Sequence, residues 1–164
     1  MASDAHSADD VRRFVERFAL LLVEGGLPRM PARAFACILA EDSGQLTAAE
    51  LAERLEVSPS AISGAVRYLT QVGTLVRGRE PGARRDHFRL HDDIWAEMYS
   101  SRLVVLRRWE EALAEGVELL GNDRPAGRRL DDSREFFAFA QEEVTRIVQR
   151  WRERRAARAE GDRA

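Results

Sequence analysis

The segment SPSAISGAVRYLTQVGTLVR, residues 58–77, decides the fold. Ser58 stands where a helix can begin, because its hydroxyl can accept from a backbone N–H of the first turn that lacks a helical partner. Pro59 follows at the first helical position, where its missing N–H costs nothing. Gly73 supplies the left-handed stop that ends such a helix. Between them Ala61, Ile62, Ala65, Val66, Leu69 and Val72 recur at helical spacing and are expected to face a core. Ser60, Ser63, Gly64 and Arg67 fall on the opposite side, and Thr74-Leu75-Val76 then reads as a strand.

Upstream, Thr47-Ala48-Ala49-Glu50 is a capping box opening a short helix through Leu51, Ala52 and Leu55. Two capped helices separated by about three residues predict a helix-turn-helix. Downstream, Pro81-Gly82 marks a turn and His87-Phe88-Arg89-Leu90 a returning strand, so a two-stranded wing is expected.

Farther out the pattern is helical on both sides. Ser7 caps a helix carrying Val11, Phe14, Val15, Phe18, Leu21 and Leu22, which stops at Gly25-Gly26-Leu27-Pro28. Pro31 suits the first turn of the next helix, with Ala34, Phe35, Ile38 and Leu39 on its apolar side and Asp42-Ser43-Gly44 ending it. From Asp92 a helix carries Ile94, Trp95, Met98, Leu103, Leu106, Trp109, Leu113, Val117 and Leu120. Residues 121–129 read as a linker. A last helix after Asp131-Asp132-Ser133 presents Phe136, Phe137, Ala140, Val144, Ile147, Val148 and Trp151 before fraying. The expected fold is mostly α with a small β-hairpin wing. Its parts are an N-terminal dimerisation helix (1–28), a winged helix-turn-helix (29–91), a C-terminal helical dimerisation region (92–158) and a disordered tail (159–164).

The chain has 164 residues, of which 45% are hydrophobic and 33% charged, enough for one core and a well-solvated surface. No run approaches ~18 uninterrupted apolar residues, so no membrane span is expected. The acidic start MASDAHSADD lacks the features of a secretory signal, and the single cysteine, Cys37, suits a reducing cytoplasm. The net charge of −2 gives no sign of a polyanion partner until it is divided. Residues 58–91 hold six arginines against Glu80 and Asp86, a local +4, while the rest is neutral to acidic. Every basic residue is arginine, which fits the coding habit of a GC-rich genome as well as any functional demand.

Duplex DNA is the partner these faces suit. The small residues Ser60, Ser63 and Gly64 let a helix sink into a major groove about 12 Å wide, and Arg67 can reach a guanine edge bidentately. Ser58, Ser60 and the helix N-terminus can meet phosphate. Arg77, Arg79, Arg84, Arg85 and Arg89 concentrate cations on the wing, with Arg84 and Arg85 at its tip for the backbone or minor groove, and Asp86 is expected to pair with one of these two. The competing use of the same fold is a protein–protein adaptor without DNA affinity, against which the cationic wing argues. No phosphate loop, nucleophile elbow or paired catalytic carboxylates suggest an enzyme.

Residues 29–91 resemble the winged helix of the MarR superfamily, on the strength of the helix pair, the 58–77 segment and the arginine-tipped wing. The GLPRMPAR entry and the GARRDHFRL wing look most like its GbsR-type branch. The resemblance covers about residues 8–155. It implies a triangular homodimer built from terminal helices, and repression at pseudo-palindromic operators, relieved in many members by a small ligand. Many family members carry Asp-x-Arg in the wing, whereas this chain reads Arg84-Arg85-Asp86-His87-Phe88-Arg89, which leaves open which arginine enters the minor groove. Independently of the family, the apolar stripes of residues 11–22 and of the last helix need cover. A two-fold dimer would give it, setting recognition helices about one DNA turn apart.

Cys37 reads as a buried small side chain, and His6, His87 and His91 show no metal-ligand spacing, so neither metal nor cofactor is expected. Trp95, Tyr99 and Trp109 are candidates for the wall of an effector pocket, the effector itself being unidentified, although aromatics at helical spacing are more often core.

Overall fold

A computed structural model describes residues 8–79 and 85–161. Ser7, Glu80, Pro81, Gly82 and Arg84, singled out above, lie outside them. In chain order the elements are α1 (Ala8–Glu24), α2 (Arg29–Leu39), β1 (Gln45–Thr47), α3 (Ala48–Arg54), α4 (Pro59–Gln71), β2 (Leu75–Gly78), β3 (His87–Leu90), α5 (Ile94–Leu120) and α6 (Pro125–Gly161). The fold is mostly helical with one small antiparallel sheet. The chain divides into two compact units at Asp92–Asp93.

In the first unit α1 packs on α2, and α2 packs on α4. Phe35, Ile38, Leu51, Ile62 and Leu69 are fully buried where α2, α3 and α4 converge. Truncating one such side chain to alanine costs about 2–5 kcal/mol, so this cluster anchors both helices of the helix-turn-helix. Thr47 caps α3 through the full capping box, its backbone N–H donating to Glu50 at 2.7 Å. Ser58 caps α4, its Oγ accepting from the N–H of Ala61 at 3.3 Å, with Pro59 at N1. Gly73 takes φ +73° after α4. Val72 departs from expectation: as the C-cap residue it is 49% exposed, because α4 has already left the core at Leu69.

The sheet order is β1-β3-β2. The wing hairpin pairs Leu75 with Leu90 and Arg77 with Phe88, and β1 adds Leu46 opposite Phe88. Directly opposed residues share a face, so Leu46, Leu75 and Phe88 turn one face into the core. The other face carries Gln45, Val76 and Arg89. β1 carries no signal in the sequence, since its three residues, the last of them the α3 cap, are too few to show alternation.

In the second unit α5 and α6 form a helical hairpin. The α6 helix begins at Pro125 and not after Ser133, so most of the expected linker is its first turns, with proline in the first helical position. Gly127 is buried against Gly121, whose carbonyl leaves no room there for a side chain. At its other end α6 runs to Gly161, three residues into the stretch expected to be a disordered tail. Trp109 packs edge-on against Phe137 with centroids 5.2 Å apart, and Gln141 Nε2 donates to Glu110 at 2.7 Å. At the far end Asp93 accepts from Trp151 Nε1 at 2.8 Å and from Arg152 Nε at 3.2 Å, and it also pairs with Arg155. No helix among the described residues is long and apolar enough to cross a membrane.

Candidate nucleic-acid interface

Helix α4 offers two faces of different character. Ile62, Ala65, Val66 and Leu69 are buried, while Ser60, Ser63 and Arg67 are exposed and Gly64 lies between them, half-buried. A Cβ built on Gly64 meets nothing within 4 Å. Glycine in a helix interior costs about 1 kcal/mol relative to alanine, and no neighbour inside the protein requires it here. The Ser58 hydroxyl lies 3.0 Å from that of Ser60, so the cap and the first exposed serine form one polar corner at the start of α4.

Within the described part of the wing, Asp86 pairs with arginines of the preceding arm. Asp86 is held by Arg77, whose Nε donates at 2.8 Å, and by Arg79, whose Nε donates at 2.9 Å. Among the described residues its partners come from β2 and the residue after it, not from the adjacent Arg85, while Arg84, the other expected partner, lies outside the described residues. The hydrogen bond from Arg77, with that from Arg79, holds the Asp86 carboxyl below the usual range. One carboxylate thus serves two guanidiniums, leaving the trio at +1. Both arginines stay about 60% exposed, so their remaining N–H groups point to solvent.

Arg85 is exposed and has no ion-pair partner among the described residues. Its field, with that of His87, reaches Glu50 at the start of α3, whose carboxyl is lowered mainly by the hydrogen bonds from Thr47. Arg89, on the outer face of β3 between Gln45 and Val76, pairs with Asp92 at 3.2 Å. The exposed face of α4 and the described wing arginines all belong to the first compact unit.

Trp95, Tyr99 and Trp109 all lie on α5, and fourteen residues at 1.5 Å rise separate the outer two by about 21 Å. Trp109 is engaged with Phe137, and all three remain 40–53% exposed. Cys37 is buried, and burial pushes its thiol up despite the opposing fields of Arg54 and Arg33, which disfavours a reactive thiolate.

Sequence reasoning missed a group beneath the helix-turn-helix. Arg33 of α2 donates from Nε to both carboxylate oxygens of Glu16 on α1, at 2.8 and 3.1 Å, and from a terminal nitrogen to the carbonyl of Leu55 at 3.1 Å. Its partners are 17 and 22 residues away, so no local pattern announces them.

Comparison with known proteins agrees with this architecture. Residues 25–86 match a family described as the MarR family, and residues 93–154 match one described as MmpR5-like MarR family transcriptional regulators. The HTH-type transcriptional regulator MmpR5 of Mycobacterium tuberculosis is 28% identical over 146 residues, covering 88% of each chain. A crystal structure of a transcriptional regulator superposes with a TM-score of 0.73 at 28% identity, covering 88% of this chain and 99% of the other.

Proposed function

We propose that this chain, which belongs to the MarR family of winged-helix transcriptional regulators, binds pseudo-palindromic operators as a homodimer and represses the neighbouring genes in the cytoplasm. The observation that carries this reading is the exposed Ser60–Ser63–Gly64–Arg67 face of a helix capped at Ser58 and anchored through Ile62 and Leu69. A rigid helix with a small polar face can enter the major groove, where Ser60 and Ser63 hydrogen-bond base edges and Arg67 forks onto guanine. Gly64 lets the helix backbone approach the base edges closely. Ser58 and the amino end of α4 meet phosphate.

In the same reading the wing grips the backbone. Arg77 and Arg79 act as a pair oriented by Asp86, Arg89 contributes from the outer sheet face, and Arg84 and Arg85 reach the minor groove. Two-fold association is supported by the apolar side chains left uncovered in a single chain. Phe14 and Leu21 on α1, and Val104, Phe136, Phe139 and Ile147 on the α5–α6 hairpin, are all exposed. A small-molecule effector that relieves repression also belongs to the reading, with Trp95, Tyr99 and Trp109 as aromatic contacts. The GbsR-type assignment rests on the GLPRMPAR and GARRDHFRL stretches, whereas the curated relative is of the MmpR5 type.

The test is selection of duplexes from a random library, followed by binding at several salt concentrations. The logarithm of affinity should fall linearly with the logarithm of salt, by about 0.9 per phosphate neutralised. Failure to retain any duplex at low salt overturns the reading in favour of an adaptor.

A further inference from the structure

The turn that launches the recognition helix is held from outside by two arginine ties, and both lead back to α1. Leu55 is the C-cap of α3 and Ser58 the N-cap of α4, so only Glu56 and Val57 lie between the two helices. Arg33 donates to the Leu55 carbonyl while its guanidinium forks onto Glu16 of α1. Arg12 of α1 pairs directly with Glu56, the one non-glycine with positive φ (+53°) among the described residues. Consecutive turn residues are therefore each held by an arginine, one through the backbone and one through a side chain.

The Arg12–Glu56 tie borders open space. α1 packs on α2, and a cleft of about 900 Å³ lies between them and the end of α3, lined by Arg12, Glu16, Cys37, Glu41, Arg54 and Glu56 among others. With little apolar packing from α1 onto α3, the link between them is electrostatic and directional. Arg33 is its better-built half: 18% exposed, against 57% for Arg12, and bonded to three acceptor oxygens in the planar fork that suits a guanidinium.

We propose that Arg33 is a positioning residue for DNA reading, fixing the Leu55–Ser58 turn to α1 and so setting the pose of α4. This rests on the reading that α4 reads the major groove, and it adds that α1 takes part in that reading through Arg33. Lysine keeps the charge but cannot fork onto Glu16 and reach Leu55 together. The geometry, more than the charge, is what positions the turn.

The experiment compares two duplexes, one selected on the wild-type protein from a random library and poly(dI-dC), with Arg33→Met, Arg33→Lys, Glu16→Gln and the Arg33→Met/Glu16→Gln double variant. Circular dichroism fixes the folded fraction of each. Arg33→Met should lose about tenfold on the selected duplex and change less than about twofold on poly(dI-dC). Glu16→Gln should shift the same ratio in the same direction, and the double variant should be no worse than Arg33→Met, as expected for one shared interaction. Arg33→Lys should restore only part of the ratio. Should Arg33→Met fail to fold, Glu16→Gln, at a half-exposed position, carries the test. Unchanged discrimination in the folded variants overturns the proposal, as does parallel loss on both duplexes or full rescue by lysine. A wild-type protein that does not discriminate overturns the operator-binding reading itself, a distinguishable result.

Discussion

Arg77 on β2 donates from Nε to Asp86, the residue before β3, at 2.8 Å, beside the last strand pair of the wing, Gly78 with His87. Arg79 donates to the other oxygen of the same carboxylate. A basic wing therefore carries its own internal anion, which orders two cations and partly cancels them. Replacing Asp86 by asparagine adds one positive charge and releases both guanidiniums. Affinity for arbitrary duplex at low salt should rise and the log–log salt slope steepen by roughly one. Discrimination between sequences should fall, because the two arginines lose their fixed geometry. An unchanged slope would show that Asp86 does not face the DNA field.

Arg67 and Arg85 should separate base reading from backbone grip. Arg67→Ala is expected to cost about 1–3 kcal/mol on the selected sequence and to relax preference at one base pair. Arg85→Ala, and Arg84→Ala with it, should weaken all sequences alike and flatten the salt slope by about one. Competition binding against single-position variants of the selected duplex measures both effects.

Gly64→Ala should separate stability from function. Nothing in the protein meets the added methyl. Helix propensity should make the variant more stable by up to about 1 kcal/mol, read as a higher thermal midpoint. The same methyl, on a face pressed into the groove, should weaken binding to the selected duplex. Tighter or unaltered binding would place this face away from the bases.

Asp93 should be the acid-sensitive point of the α5–α6 hairpin. Burial raises its carboxyl, but the hydrogen bonds from Trp151, Arg152 and Arg155 outweigh this and leave it below the usual aspartate range. A depressed folded pKa means the stabilisation is fully present above the unfolded value of about 3.9 and is lost as pH falls through the lower, folded value. Asp93→Asn should therefore destabilise the hairpin at neutral pH, by about 1–2 kcal/mol once solvent screening of the partly exposed arginines is allowed for. The difference from wild type should shrink under strongly acidic conditions. Tryptophan fluorescence, whose three sources Trp95, Trp109 and Trp151 all lie on α5 and α6, follows this during unfolding at several pH values, and a difference independent of pH would assign the loss to packing.

Ser58, Pro59 and Gly73, and Thr47 with Glu50, mark helix ends by chemistry confined to a few neighbouring residues. The helix-turn-helix and the two faces of α4 were therefore legible in the sequence. Short strand-forming runs on either side of Pro81-Gly82 revealed β2 and β3, and six arginines against two acids marked the basic segment. Three-dimensional contact decided the rest. β1 exists because Leu46 finds Phe88 across the sheet, and α6 starts at Pro125 because Gly127 can approach Gly121. Asp86 chose Arg77 and Arg79 because the hairpin register brings β2 beside it, and Arg33 found Glu16 and Leu55 on elements distant in sequence. Caps and periodicity act over a single turn or strand and can be read along the chain. Partners of long charged side chains depend on which elements fold together, and only the tertiary structure specifies that.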